Sequence, residues 1–121
     1  MTTPYAGSDT VTLPTDPAHV RALQRAFAAG HQPWRADPIA VASVALYEVM
    51  KTAESAFAAS TSADRLYLNL HLAEETERRA VVSGSGMRYD YRVYLERLSP
   101  TPRAGPGIWM AVEIEYAARR E

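Results

Sequence analysis

The chain contains no cysteine. Disulfides and thiolate metal sites are therefore excluded, and stability must come from packing. Lysine is almost absent too: of the 13 basic residues, only Lys51 is not arginine. That skew, with abundant alanine, fits GC-rich coding; a selective reading would be bidentate arginine pairing. The formal charge is −1, so no global field steers the chain toward nucleic acid or an anionic membrane. No apolar run approaches the roughly 18 residues of a membrane span. No basic start followed by an apolar stretch marks a secretory signal. What remains is a soluble domain of 121 residues, 47% hydrophobic, long enough for one core. The expected location is the cytoplasm, or a virion if the chain is phage-derived.

The most regular stretch is Arg65 to Leu72. Leu66, Leu68, Leu70 and Leu72 alternate with Tyr67, Asn69 and His71. A period of two predicts a strand over 65–73 with one oily face. Before it, Met1 to Thr15 is rich in Thr, Pro, Gly and Ser and reads as a flexible or partner-bound arm. Within it, Val11-Thr12-Leu13 is β-prone and suits a sheet edge, in this chain or a neighbour. Residues 16–121 then form a single domain.

Asp16-Pro17 opens a helix near 17–29, with Val20, Leu23 and Phe27 on one face and Gly30 as its stop. His31 to Ala36 is a connector whose Trp34 is either a plug or an interface anchor. Asp37-Pro38 repeats the start signal, and a long helix is expected from Ile39 to Ser60. Residues 39–49 also alternate, so a strand over 39–43 is the rival. Glu74-Glu75-Thr76-Glu77 reads as a turn and Arg78 to Ser83 as a short strand, with one amphipathic helix over 73–82 as the rival. Ser83-Gly84-Ser85-Gly86 signals a turn. Met87 to Leu98 and Ile108 to Ala117 read as strands, separated by a Pro- and Gly-rich loop. The first is expected to turn Tyr89, Tyr91, Val93 and Leu95 inward. The last is expected to turn Ile108, Met110, Val112, Ile114 and Tyr116 inward, and Trp109, Ala111, Glu113 and Glu115 outward. The architecture that follows is α+β, with two N-terminal helices on an antiparallel sheet of three to four strands. Arg88 and Arg92 would face Glu113 and Glu115 across it.

The three histidines, His19, His31 and His71, lack the close spacing of a zinc site. No serine sits in a nucleophile elbow, and the Ser-Gly repeat lacks the features of a phosphate loop. No motif calls for a cofactor. Arginines 78, 79, 88, 92 and 97 interleave with tyrosines as in a base-stacking sheet, but Glu74, Glu75, Glu77, Asp90 and Glu96 cancel the basic footprint. Aromatics and arginines on polar faces suit protein contacts. The interface candidates are Trp34, Arg88, Arg92, Tyr94 and Trp109.

Val82-Ser83-Gly84, Tyr89-Asp90-Tyr91-Arg92, Ala104-Gly105, Trp109 and Ile114-Glu115-Tyr116 together resemble the end of the tail-terminator and neck proteins of long-tailed bacteriophages. That resemblance implies a small α+β protein that assembles into rings without catalysis. The sequence therefore favours a non-enzymatic assembly subunit that self-associates or joins a larger complex. The alternative is a small-molecule-binding or isomerase-like cone, its pocket lined by Tyr67, His71, Tyr91 and Tyr94.

Overall fold

A computed structural model describes residues 9–13, 16–30, 33–98 and 107–119. The elements run β1 (Asp9–Thr12), α1 (Pro17–Ala28), a 3-10 turn (Pro33–Ala36), α2 (Pro38–Ala53), α3 (Ser55–Ala59), α4 (Ala63–Asn69), β2 (His71–Glu75), β3 (Arg79–Ser85), β4 (Tyr89–Leu98) and β5 (Ile108–Ala118). The fold is α+β. Four helices and a five-stranded antiparallel sheet, ordered β1-β5-β4-β3-β2, are seen among the described residues. The strands from β2 to β5 form a meander, and β1 returns to the far side of β5. Most of the expected arm and of the 99–107 loop, and His31-Gln32, lie outside the described residues. Within the arm, Asp9 to Thr12 pairs with Tyr116 to Glu113 of the same chain.

Asp-Pro precedes both α1 and α2, but Asp16 makes no side-chain cap bond. The Asp37 carboxylate accepts the Ile39 N–H at 2.9 Å and so caps α2. Gly30, at φ 88°, takes the left-handed turn that stops α1. Residues 39–43 are helical, so the rival strand is not formed. Val41, Ala42, Leu46 and Met50 of α2 pack on Val82 of β3 and on Tyr91, Val93 and Leu95 of β4 in one core cluster. The long helix expected to Ser60 breaks at Glu54.

The leucine ladder is not a strand. Residues 63–69 wind as α4, and only His71–Glu75 is extended. Ser62 caps this helix by accepting the Arg65 N–H at 3.3 Å. Leu66 and Leu70 are four apart, so they share a face in a strand and in a helix alike. Both are buried on the core, while Leu68 is 79% exposed. Two inward leucines and a good cap outweigh the cost of leaving Leu68 and Leu72 exposed.

The meander decides one open choice and shifts one expected turn. Residues 71–85 form two paired strands rather than a helix. The turn starts at the last residue of the Ser-Gly signal, closed by Gly86 N–H to Tyr89 O at 2.9 Å. Gly84 instead sits inside β3, where a Cβ would run into Leu70 Cδ2; its bare backbone leaves room for the Leu70 side chain just past α4.

Trp109 does not face outward. It is wholly buried in the core cluster with Ala111. The cause is a bulge: Tyr94 pairs with Glu113 but Leu95 pairs with Ala111, which leaves Val112 as an extra residue. One inserted residue reverses the in–out parity of a strand. Trp109 and Ala111 point to the core before the bulge, and Ile114 and Tyr116 after it. Ile108 and Met110, on the other side of the strand, are buried as well, where α1 and the 3-10 turn contact β5.

Candidate functional site

The interface and pocket candidates do not converge. Tyr67 lies on α4 and donates its hydroxyl to Asp37 Oδ2 at 2.7 Å, tying α4 to the cap of α2. His71 is exposed on the edge strand β2. Tyr91 points into the core, whereas Tyr94 lies on the opposite face of the sheet with Arg92 and Glu115. A pocket lined by all four is therefore not formed. Trp34 is half-buried against the core cluster, with the Arg35 guanidinium 4.5 Å from its ring. Arg88 is exposed in the turn before β4.

Two polar clusters stand out instead. In the first, Arg92 lies opposite Glu115, with 3.6 Å between guanidinium and carboxylate. The Tyr94 hydroxyl donates to the same carboxylate oxygen at 3.0 Å. Glu115 is only 3% exposed, so this cross-strand pair is more than a solvated surface contact. The expected pairing of Arg88 with Glu113 is absent, because Arg88 sits beyond the end of β4.

The second cluster centres on Glu54, which sequence reasoning passed over. The residue is 6% exposed. Oε2 accepts the Tyr91 hydroxyl at 2.6 Å, and Oε1 accepts the Arg88 backbone N–H at 2.5 Å. The break between α2 and α3 lets this side chain reach the β3–β4 turn. Gly86 allows the approach, since a Cβ there would strike the carboxylate. Glu54 was legible in principle: it extends the 42, 46, 50 stripe of α2 by one step, and a charge on an apolar stripe asks for a buried partner.

Burial and the bond to Glu54 push the Tyr91 hydroxyl well above its ordinary range near 10. It stays a protonated donor at all working pH values. Above about pH 10 the unfolded chain sheds this proton and the folded chain keeps it. Stability from this group is therefore constant below about pH 10 and falls above it. Denaturant unfolding between neutral pH and pH ~11 should show that decline, with a smaller slope in Tyr91→Phe.

Two open grooves of about 570 Å³ each flank the sheet. One lies between β1 and α2, lined by Val11, Leu13, Ala45, Val49, Ala53 and Tyr116, with Glu48 and Thr52 at its side. The other lies over Val81, Tyr94 and Val112, with Glu74, Glu96, Glu113 and Arg79 around it. Neither brings a histidine to an acid. Among the described residues no group of three His, Asp or Glu is placed to hold a metal ion. No described helix is long and apolar enough to cross a membrane.

Comparison with known proteins found no matching family model, no matching curated protein and no matching solved structure.

Proposed function

We propose that this chain is a non-enzymatic structural subunit of a larger protein assembly. The observation that carries the reading is the outer edge of β1. It is a short strand with no described neighbour on one side, and it borders an apolar groove. Open strand edges are templates for pairing with another chain unless they are blunted. The opposite edge is blunted: β2 carries a bulge between Leu72 and Glu74 and ends in two glutamates. β1 has no bulge, and its one charge, Asp9, lies at its start. The polar clusters support the same reading, since Glu54, Tyr91, Tyr94 and Glu115 bond to one another or to backbone and act as fasteners. The resemblance of the C-terminal third to phage neck and tail-terminator proteins points to the same class, and a ring is one form such an assembly takes.

The test is mass in solution, by light scattering or native mass spectrometry over a concentration series. An oligomer, or a stable complex with a protein partner, is expected. A strict monomer at high concentration that captures no partner refutes the reading.

A further inference from the structure

We propose that β1 and the groove beside it form a two-fold interface between two copies of this chain. This rests on the assembly reading above and specifies one contact of it.

The phase of the backbone hydrogen bonds is the starting point. Leu13 N–H donates to Val112 O at 2.9 Å, and Asp9 and Val11 stand opposite Tyr116 and Ile114. Antiparallel pairs alternate between bonded and non-bonded positions. Asp9, Val11 and Leu13 therefore face β5 with their peptide groups, and Thr10 and Thr12 aim their N–H and C=O groups away from the sheet. A second β1, run antiparallel about Val11, sets Thr10 against the second copy's Thr12. Both threonines of each strand then exchange both bonds. Asp9 falls opposite Leu13, so no like charges meet. A two-fold contact must be self-complementary in this way.

A strand pair of this length covers far less than the roughly 800 Å² per partner of a stable interface. The apolar groove beside it adds to that contact. Val11 and Leu13 are one wall and Ala45, Val49 and Ala53 of α2 the other. The two-fold places both apolar grooves side by side. Charge agrees as well. Glu48 and Lys51 lie on the exposed side of α2, 2.9 Å apart. On two antiparallel helices related by a dyad, each Glu48 meets the other copy's Lys51, and the contact occurs twice.

The experiment is sedimentation equilibrium of the full chain and three variants, with circular dichroism and melting as folding controls. The unaltered chain is expected to dimerise. Thr12→Pro removes an N–H that β5 does not use, so the fold should persist while dimerisation weakens by about tenfold or more. Glu48→Lys sets lysines against each other and should also weaken the dimer. Glu48→Lys combined with Lys51→Glu restores opposite charges, and dimerisation should return. An oligomer indifferent to Thr12→Pro and Glu48→Lys overturns this interface and leaves the assembly reading standing. A monomer at every concentration that still captures a protein partner overturns the interface alone. A monomer that captures none overturns both.

Discussion

Trp109→Ala is expected to lower folding stability by about 3–5 kcal/mol, the range for truncating a buried aromatic. Trp109 is wholly buried and belongs to the cluster that joins β5 to β4 and α2. The Arg97 guanidinium stacks 4.6 Å from its ring. Alanine would leave a large cavity and strip that cation of its aromatic face. Small domains are stable by only about 5–15 kcal/mol, so the variant would sit near the unfolding threshold. Urea unfolding followed by circular dichroism measures the loss. An outward tryptophan would give a change within about 0.5 kcal/mol, and such a result would refute the parity switch at Val112. Trp109→Phe, which keeps an aromatic in the same place, should cost less than alanine.

Glu54→Ala should cost about 2–4 kcal/mol by a different route. It deletes one acceptor group but strands two donors, the Tyr91 hydroxyl and the Arg88 N–H. Leaving a buried donor unsatisfied costs about 1–3 kcal/mol, more than an average hydrogen bond contributes. Tyr91→Phe removes one of those donors and leaves Glu54 bonded to the turn. The two changes must therefore be non-additive, and a double-mutant cycle should give a coupling of about 1 kcal/mol or more. Glu54→Gln, which keeps one carbonyl acceptor, should fall between wild type and alanine. If Glu54→Ala unfolds at the wild-type urea midpoint, the carboxylate does not fasten the helix break to the β3–β4 turn.

These two residues lie at the points where the chain departs from its local pattern. Glu54 stands on an apolar helical stripe, and the helix breaks so that its charge reaches two donors. Trp109 stands at an alternation that reads outward, and an inserted residue turns it in. Each departure places a large or charged side chain where strands and helices meet. The peripheral contacts are weaker. The Glu48–Lys51 pair is exposed and of the kind that contributes little to folding within one copy. Its value would lie in specifying a partner rather than in folding.

Several features were set by the sequence alone. Asp37-Pro38 starts a helix because the capping carboxylate and the fixed proline φ act within four residues. The alternation of Tyr91, Val93 and Leu95 set the inward face of β4, since nothing disturbs the pleat there. The α+β class followed from such segments together. Three other features needed the tertiary structure. Leu66 and Leu70 satisfy both a two-residue and a four-residue period, so only the packing of α4 against α2 and the core cluster settled the helix. The inward face of β5 depends on which partner residue goes unmatched, and that is fixed by pairing with β4 across the intervening loop. β1 joins β5 across nearly the whole described chain, a contact of long sequence separation that no local window contains. Local propensity and capping act over a few residues and can be read from them; parity, register and partner choice are properties of the assembled sheet.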